Sequence, residues 1–479
     1  MARSRWARTA LLAGVASLAV VACTDPSPAE PQARTSPSAA PTGGPTQPLV
    51  VVTHMTRQTV DVSEAVALRI IRGDLPSWQE LGFGSTLLRT VSAPGTPAPD
   101  RLELGSARAA IGAVVRDRDT VAVVPASALG PSVRAMTVHG ISPVRRPGDY
   151  PIRTRVARGA TRPGPVVTMT VTGDIMLARG VAEAARGSGS PAPALLPTRR
   201  RLSAADITVG NLESTLSRAG APTQGGDSFA ADPRVARSLK AAGFDALSLA
   251  NNHAGDFGGQ ALVQTRRRLR SVGLQTFGAG ANPAQAWAAA VVERAGVRFG
   301  FLGFNAIGET PEVAPGQPGA VSVSMPPRTG PLDRSELARF LRAVRRLGRE
   351  VDVVVVLPHW GTQYTNRPEP VQRRVAARLV GAGADLVVGG HPHWVQGVDV
   401  VDGTLVAHSL GNFVFDMDFM PETMESLLLE LTYWGGELKA AEFVPYRMDS
   451  SFAPRIVSFE RGTDILRRMW ETSGIAYRG

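Results

Sequence analysis

Histidine, asparagine and carboxylate side chains recur at one kind of position in this 479-residue chain, directly after short apolar runs that predict β-strands. Four of the seven histidines lie at such positions. Because Asp, Glu, Asn and imidazole ligands without a thiolate suit borderline-hard ions, the pattern predicts a centre for Mn²⁺, Fe²⁺ or Zn²⁺. Five clusters carry this prediction: Gly173-Asp174-Ile175-Met176, Gly210-Asn211-Leu212-Glu213, Ala250-Asn251-Asn252-His253, Pro358-His359-Trp360-Gly361 and Gly389-Gly390-His391-Pro392-His393.

We expect the five clusters to converge, because ligand-binding loops follow the strands at one edge of an α/β sheet. Two ions about 3.5–4 Å apart need a bridging carboxylate and further nitrogen or oxygen ligands on each side. In this hypothesis Asp174 and His393 bind one ion, and Glu213 bridges to the second. The second ion is bound by Asn252, His359 and His391. The two histidines of the last cluster would serve neighbouring ions as alternate residues of an extended segment.

If the centre is catalytic, it predicts metal-assisted hydrolysis of a phosphoester. His253 is the candidate general acid for the leaving oxygen. Asp256 lies three residues further on and could hold the His253 imidazole in one tautomer if this turn is helical. The alternative for Asp256 is a charge at the N-terminus of a helix.

Other polar and aromatic residues near the clusters are candidates for substrate contacts or for supporting hydrogen bonds. Trp360, Tyr364 and Arg367 follow His359 and could line the substrate pocket, although Trp360 could instead pack beneath the loops. Asn211 is a further substrate-side candidate that could also complete the ligand set. Supporting hydrogen bonds are predicted for His408, Ser409 and Asn412. The sequence has no Gly-x-Ser-x-Gly motif that would make Ser409 a nucleophile.

The elements that position these clusters alternate between strand and helix. This order predicts parallel α/β layers over residues 166–460. β-branched runs predict strands at residues 166–172, 246–249, 299–304, 351–357, 385–388 and 404–408. Helical patterns occur at residues 235–242, 260–272, 333–347 and 370–381.

Residues 49–161 predict a smaller accessory α/β domain. Short buried strands are predicted at residues 50–52 and 121–124, and a helix at 63–71 with Ser63 as its N-cap. The segment from Ile70 to Asp74, with Trp78, is similar to one lobe of periplasmic solute-binding proteins. The alternative is an accessory domain that binds no ligand.

The N-terminus resembles that of a bacterial lipoprotein. Arg3, Arg5 and Arg8 precede an apolar stretch too short to span a bilayer permanently, and small residues precede the single cysteine, Cys23. Residues 1–22 are therefore predicted to be a lipoprotein signal peptide. The alternative is an ordinary signal peptide followed by an incidental buried cysteine. The Pro/Ser/Thr-rich residues 23–48 predict a disordered tether. We expect an extracytoplasmic protein anchored to the membrane through a lipid on Cys23.

Amino-acid composition excludes several classes of site and partner. A single cysteine excludes a disulfide framework and a cysteine-based zinc site. The formal charge is +11, and only two of the 52 basic residues are lysines. The arginines are scattered and lack interleaved aromatic residues, so we interpret them as a composition bias and expect no nucleic-acid partner.

The ordered clusters carry a family resemblance. Together with Ser409-Leu410-Gly411-Asn412-Phe413, they resemble the CapA-type poly-γ-glutamate capsule synthesis proteins, a branch of the calcineurin-like metallophosphoesterase superfamily. The resemblance covers residues 166–416. It implies a four-layer α/β/β/α sandwich, a place in capsule or envelope polymer biosynthesis, and the capsule synthesis machinery as a partner.

One position departs from the wider superfamily, whose first motif reads Asp-x-His. Here the third residue is Met176, and a thioether is a poor ligand for a hard ion, so one ion or two could be bound. Three functions therefore stay open: a metal-dependent phosphoesterase acting on a phosphoester or an anionic polymer, a non-catalytic polyanion-binding scaffold, and a γ-glutamyl amide hydrolase or transferase.

Overall fold

The computed structural model describes residues 45–96, 102–156 and 163–478. These residues belong to one compact unit that runs from Gly44 to Gly479. The predicted signal peptide, Cys23 and nearly all of the predicted tether lie outside the described residues. None of the helices in the described part has the length and apolar character that a membrane crossing requires.

The N-terminal region is a six-stranded sheet flanked by two helices. Its helices are α1 (Glu64–Arg72) and α2 (Ala107–Arg116), and its strands are β1 (Thr46–His54), β2 (Asp61–Val62), β3 (Arg89–Ser92), β4 (Leu102–Glu103), β5 (Thr120–Pro125), β6 (Val133–Ala135), β7 (Thr137–Val138) and β8 (Arg153–Arg155). The sheet has the order β4-β3-β5-β1-β6, β8 also pairs with β1, and β2 and β7 form a separate pair.

Two expectations for this region can be compared directly with the structure. The Ser63 hydroxyl accepts a hydrogen bond from the Val66 N–H, as expected for an N-cap. Strand β1 begins at Thr46, inside the segment predicted as tether, because its first three residues pair with β8. Sequence composition did not indicate that pairing.

The larger region supplies sixteen strands and eight helices of the described chain. The strands are β9 (Val166–Ile175), β10 (Ile207–Leu212), β11 (Ala246–Ser248), β12 (Gln275–Phe277), β13 (Ala279–Gly280), β14 (Ala290–Arg294), β15 (Val297–Asn305), β16 (Gly319–Ala320), β17 (Val353–His359), β18 (Leu386–Val388), β19 (Val398–Val401), β20 (Thr404–Ala407), β21 (Asn412–Val414), β22 (Glu425–Trp434), β23 (Glu437–Met448) and β24 (Pro454–Ile456). The helices are α3 (Arg179–Ala184), α4 (Arg199–Leu202), α5 (Val235–Ala242), α6 (Gly258–Ser271), α7 (Pro283–Ala286), α8 (Arg334–Leu347), α9 (Pro370–Val380) and α10 (Thr463–Thr472).

These strands form two large sheets. The first has the order β12-β11-β10-β9-β22-β23-β24, with β21 also paired to β9, and the second has the order β14-β15-β17-β18-β20-β19. The first sheet is parallel from its β12 edge to β9 and antiparallel beyond β9. The second sheet has a parallel centre, as predicted, and an antiparallel strand at each edge. The hairpin of β22 and β23 was not predicted. It makes the first sheet mixed rather than purely parallel.

Apolar residues of both sheets share one buried cluster that contains Val171, Leu429, Phe301 and Val355. Residues of α5 and α6 pack with the first sheet in a second cluster, and residues of α8 and α9 pack with the second sheet in a third. The fold is therefore a mixed α/β fold with several sheets and helices. The shared cluster also contains Ile465 and Tyr477, so the packed region continues beyond residue 460.

The N-terminal region is joined to the first sheet by buried contacts. Trp434 of β22 belongs to the N-terminal apolar cluster, and its indole N–H donates to the Val144 carbonyl at 2.7 Å. Arg134 forms an ion pair with Glu442 at 2.8 Å, and the Tyr477 hydroxyl donates to the Pro131 carbonyl at 2.5 Å.

Candidate metal centre

The strand ends of the two sheets bring the predicted polar clusters together. In register, Asp174 of β9 lies between Asn211 of β10 and Asn412 of β21. In the second sheet, His359 ends β17 and forms a bridge with Gly390, which follows β18. Side chains from both sheets therefore meet at one edge of the shared core.

Among the described residues, two groups of side chains could each hold a metal ion. One consists of Asp174, Glu213 and His393, and the other of Glu213, His359 and His391. In each group, one ligand atom per residue lies within 4.8 Å of the others, and all five residues are buried. Glu213 is common to both groups, which is the position that the bridging hypothesis gave it.

Asp174 is the most strongly hydrogen-bonded carboxylate of the centre. Its Oδ1 accepts from the Asn211 amide at 2.8 Å, and its Oδ2 accepts from the His391 backbone N–H at 2.9 Å. A Cβ at Gly390 would lie 2.5 Å from Asp174 Oδ1, so only glycine allows this approach. The close approach couples β9 to the loop that carries both histidines.

Asn252 and Asn211 orient His359 from its two sides. The Nε2 atom of His359 lies 2.9 Å from Asn252 Oδ1, and its Nδ1 lies 3.3 Å from the Asn211 amide nitrogen. Asn252, itself a predicted ligand, therefore contacts the predicted ligand His359 directly. Asn211 is 7% exposed and lies within the ligand network rather than on a substrate surface.

His391 and His393 have positive φ values of 96° and 58°. The expectation of an extended segment was therefore wrong, because the backbone bends at residues 391–394. Their ring centroids are 5.8 Å apart. Non-glycine residues rarely adopt positive φ, and such strain is typically retained at functional sites.

Several buried polar atoms of the centre lack a partner, which tests whether the residues fit a metal ion. Glu213 Oε1 and both ring nitrogens of His391 have no hydrogen-bond partner among the described residues. Buried polar atoms are normally paired, so these orphaned atoms require an explanation. Glu213 and His391 belong to the same candidate ligand group, to which each offers one ligand atom, so the donor set fits a divalent cation.

The electrostatics of the centre point the same way. Burial, together with the Glu213 charge, raises the pKa of Asp174 to about 7, and burial raises the pKa of Glu213 to about 8. Burial also lowers the pKa of His359 to about 4 and that of His393 to about 3. Ionising two buried carboxyls beside neutral imidazoles is unfavourable without a compensating charge. A bound cation would favour the ionised carboxylates and so lower both pKa values.

His253 and Asp256 form a pair at the edge of the centre. His253 Nδ1 lies 2.9 Å from Asp256 Oδ2, and His253 Nε2 lies 3.8 Å from Glu213 Oε1. Burial lowers the pKa of His253, but the Asp256 hydrogen bond and the charges of Glu213 and Asp256 raise it overall. The intervening backbone is a series of turns, and α6 starts only at Gly258.

Asp256 is itself held firmly. The Phe229 N–H donates to its Oδ2 at 2.6 Å, and the Gln224 amide donates to its Oδ1 at 2.5 Å. The Phe229 ring stacks on the His253 ring with a centroid distance of 3.9 Å. Hydrogen bonding and stacking therefore leave His253 one orientation.

The three residues predicted to line the substrate pocket have different environments. Trp360 is fully buried in an apolar cluster, and its indole N–H donates to the His408 carbonyl. The prediction that it contacts substrate is therefore wrong, and the packing alternative describes it. Tyr364 is partly exposed and stacks against His393 at 6.2 Å, whereas the Arg367 side chain is exposed to solvent.

The three residues predicted to give supporting hydrogen bonds contact different parts of the structure. Asn412 Oδ1 lies 2.8 Å from His393 Nδ1, and its amide donates to the Thr423 carbonyl. Because that amide is occupied, Oδ1 accepts from Nδ1–H and leaves His393 Nε2 free to bind a metal. His408 instead lies 2.8 Å from Asp399, and the Ser409 hydroxyl accepts from the Gly411 N–H. Ser409 thus stabilises a local turn.

Comparison with known proteins identifies the chain at the family level. The family model described as "Bacterial capsule synthesis protein PGA_cap" matches residues 168–417, just over half of the chain. The chain belongs to this family. The predicted resemblance to CapA-type capsule synthesis proteins is therefore confirmed.

Named relatives of this PGA_cap chain come from several bacteria. It is 34% identical over 269 residues to "Capsule biosynthesis protein CapA" of Bacillus anthracis, and 30% identical over 278 residues to "PGA biosynthesis protein CapA" of Bacillus subtilis. Each match covers 55% of this chain. It covers 63% of the length of the B. anthracis protein and 67% of the length of the B. subtilis protein. A "Probable polyglutamine synthesis accessory protein" of Mycobacterium tuberculosis is 26% identical over 53% of this chain and 75% of that protein.

The PGA_cap region contains further residues near the centre that sequence reasoning missed. Arg179 follows the first cluster closely, and its guanidinium carbon lies 4.4 Å from the centroid of the Phe229 ring. Glu309 and Arg328 form an ion pair on the loops after β15. Proximity to Asp174 along the chain could have indicated Arg179. The sequence carried no comparable signal for the other two.

Proposed function

We propose that this protein is a metal-dependent hydrolase of the phosphoesterase type that acts in capsule or envelope polymer biosynthesis. The observation that carries the proposal is the pair of ligand groups that share Glu213 and leave its Oε1 and both nitrogens of His391 without partners. Two neighbouring cation sites with one common carboxylate are typical of two-metal hydrolases.

The packing of the larger region supports the finer fold proposal. One apolar cluster is common to both sheets, and each sheet packs helices through a separate cluster. We propose that this is the four-layer α/β/β/α sandwich of the metallophosphoesterases. In that fold the loops at one edge of the paired sheets carry the centre.

Asp174, Glu213 and His393 would hold one ion, and His359 and His391, with Glu213, would hold the other. Bound Mn²⁺, Fe²⁺ or Zn²⁺ would supply Lewis-acid stabilisation of charge on the ester and lower the pKa of water. Asn412 orients His393. Asn252 Oδ1 lies 2.9 Å from His359 Nε2, so Asn252 would be a further ligand of the ion that His359 holds. Asp256 accepts the Nδ1–H of His253, so that Nε2 would carry the proton transferred to the leaving oxygen.

The position of Met176 favours a second candidate, a non-catalytic polyanion-binding scaffold. Its sulfur accepts the Ala178 N–H at 3.0 Å, and the side chain lies in an apolar cluster. The first ligand group therefore has three protein ligands, without the extra histidine of the wider superfamily, and would bind its ion more weakly. A γ-glutamyl amide hydrolase or transferase would use the same centre.

The location of the protein remains part of the proposal. We propose an extracytoplasmic protein anchored through a lipid on Cys23, with residues 23–45 as the tether. The Bacillus relatives are named as capsule or PGA biosynthesis proteins, which supports a role at the cell envelope.

Turnover by the full-length protein tests the proposal. We expect hydrolysis of phosphodiesters or phosphomonoesters after loading with Mn²⁺, Fe²⁺ or Zn²⁺, and a fall in kcat of about 100-fold or more in His253→Asn, the usual contribution of a general acid. His54→Asn is the matched control, because His54 is also buried but lies in β1 beside Thr56.

A change in poly-γ-glutamate chain length would identify the amide hydrolase or transferase instead. If the loaded wild-type protein turns over neither esters nor poly-γ-glutamate, the scaffold interpretation replaces the enzymatic one.

A further inference from the structure

Two arginines lie at the candidate metal centre, and no role has yet been assigned to them. Arg179 follows β9 and Arg328 lies on a loop between β16 and α8. Each is held by a carboxylate, Asp416 for Arg179 and Glu309 for Arg328. Each also retains partial exposure, 30% for the Arg179 side chain and 47% for the Arg328 side chain.

Arg179 is tied to the elements that position His393 and His253. Its Nε and Nη2 donate to the two oxygens of Asp416 at 3.1 and 2.5 Å. Asp416 lies just after β21, whose first residue, Asn412, orients His393. The face of the guanidinium lies on the Phe229 ring, which also stacks on His253. The third guanidinium nitrogen is therefore the one left for a ligand.

That third nitrogen already contacts a carboxylate that is loosely held. Arg179 Nη1 lies 3.4 Å from Asp227 Oδ1, and the Asp227 side chain is 81% exposed. Exposed ion pairs of this kind contribute little to stability, so an incoming oxyanion could displace Asp227. In the free protein Asp227 thus occupies the place that a carboxylate or phosphate of a ligand would take.

Arg328 is placed beside the second ligand group by a different loop. The Ala306 N–H donates to the His359 carbonyl at 2.9 Å, and the Thr310 hydroxyl accepts from the Gly255 N–H at 2.9 Å. These bonds fix the backbone around Glu309, whose carboxylate accepts from Arg328 Nη2. In the described part of the chain, Nε and Nη1 of Arg328 have no protein acceptor.

The contacts place one guanidinium near each ligand group. Arg179 lies on the Phe229 ring that stacks on His253, and Arg328 pairs with Glu309, on the loop whose Ala306 N–H bonds the His359 carbonyl. Arginine forks bind carboxylates and phosphates through paired, charge-assisted hydrogen bonds.

We propose that Arg179 and Arg328 form two oxyanion-binding subsites, one beside each ligand group, which hold an anionic chain with charged groups on both sides of the reacting bond. The site is thus built for an internal bond of a polyanion rather than for a small terminal ester. This inference rests on the proposed centre for the location of the bond, but the two subsites bind the chain whether or not it is cleaved.

Equilibrium binding of two probes by the full-length protein tests the subsites. The probes are a γ-linked glutamate decamer and an inorganic polyphosphate of similar charge, titrated calorimetrically at fixed ionic strength. We expect Arg179→Gln and Arg328→Gln each to weaken binding by about tenfold, the effect of losing one charge-assisted contact. Arg346→Gln, an exposed arginine on α8, is the matched control and should bind as the wild type does.

A second variant tests Arg179 without breaking its pair with Asp416. Asp227→Asn removes the competing carboxylate, so chain binding should tighten about two- to fivefold, as expected for removal of a weak exposed ion pair. Glu350→Gln, an exposed carboxylate after α8, is its control. The probe that responds to all three variants identifies carboxylate or phosphate as the natural group.

The outcomes separate this inference from the proposed function. Weakened chain binding in both arginine variants, in a protein that cleaves nothing, would retain the subsites and reject the hydrolase. Binding of both probes that is unchanged in Arg179→Gln, Arg328→Gln and Asp227→Asn would overturn the subsites, even if esters were hydrolysed.

Discussion

Two groups of side chains at strand ends of the second sheet combine buried histidine with carboxylate, and we call them clusters. They differ in whether the histidine nitrogens and the carboxylate charges find partners within the protein. At the candidate centre, His391 has two ring nitrogens without partners beside Glu213, which is shared by two ligand groups. At the other cluster, His408 Nε2 lies 2.8 Å from Asp399, which is also paired with Arg373. Burial of a histidine near a carboxylate is therefore no indication of a metal site by itself.

The difference is one of charge compensation. Arg373 supplies the positive charge that Asp399 needs, so the charge of this carboxylate is compensated within the protein. Glu213 and Asp174 have no arginine or lysine paired with them in the described chain. Because burial raises the pKa of both carboxyls, they would be ionised together only with a cation supplied from outside. The predictions that follow test this difference, beginning with the largest expected effect.

Removing the shared carboxylate should abolish metal binding. In Glu213→Ala combined with His391→Ala, both ligand groups lose members, so affinity should fall by more than about 100-fold, beyond the loss typical of removing a supporting partner alone. Elemental analysis after dialysis measures the bound ions. Asp399→Asn is the matched change in the other cluster, and this variant should still bind metal at the candidate centre. Full retention of metal in the double variant would defeat the assignment of the centre.

Removing Asp399 from the cluster with His408 and Arg373 should lower protein stability rather than metal affinity. Asp399→Ala leaves Arg373 Nη1 and His408 Nε2 without their acceptor, while Arg373 Nη2 keeps the Thr472 carbonyl. The Arg373 side chain is 36% exposed, so we expect the free energy of unfolding in urea to fall by about 2 kcal/mol, less than for a fully buried pair. Glu350→Ala, an exposed carboxylate after α8, is the control. Loss of metal from Asp399→Ala with unchanged stability would reverse the roles of the two clusters.

The same pair has a predictable pH dependence. Burial raises the pKa of Asp399, but the hydrogen bond with His408 and the charges of His408 and Arg373 lower it overall. A carboxyl whose folded pKa is lowered contributes stability above its unfolded pKa of about 4. The difference between wild type and Asp399→Ala should therefore shrink as the pH falls through the folded value.

Removing the side chain that orients His393 should lower metal affinity less than removing the ligands themselves. Asn412→Ala removes the acceptor of His393 Nδ1–H, and we expect metal affinity to fall by about tenfold. Asn366→Ala is the control, because Asn366 bonds the Arg468 carbonyl away from the centre. Equal affinity in both variants would show that the bend alone orients His393.

The smallest effect is expected for Trp360, whose environment lies between the two clusters. Trp360→Phe loses the hydrogen bond to the His408 carbonyl, so stability should fall by about 1 kcal/mol while metal and substrate binding stay unchanged. Trp434→Phe loses a comparable bond to Val144 and should behave alike. A raised KM without loss of stability would restore Trp360 to the substrate pocket.

Local patterns predicted much of the fold because apolar periodicity and strand-end loops leave signals in adjacent residues. The helix predicted at residues 235–242 is α5, and α8 and α9 differ from their predictions by one residue. The long hairpin of β22 and β23 was missed. Its pairing with β9 joins residues far apart in the sequence, and no local pattern records such a partner.

Sequence alone determined which side chains could meet at the centre, because residue type and a position after a strand are properties of short segments. Only the tertiary structure decided that Trp360 is core, that His408 belongs to an ion pair, that His391 and His393 lie in a strained bend, and that Arg179 and Arg328 stand beside the ligands. Each of these outcomes depends on which distant group supplies the neighbouring charge, ring or hydrogen bond, and that choice is made by packing between sheets.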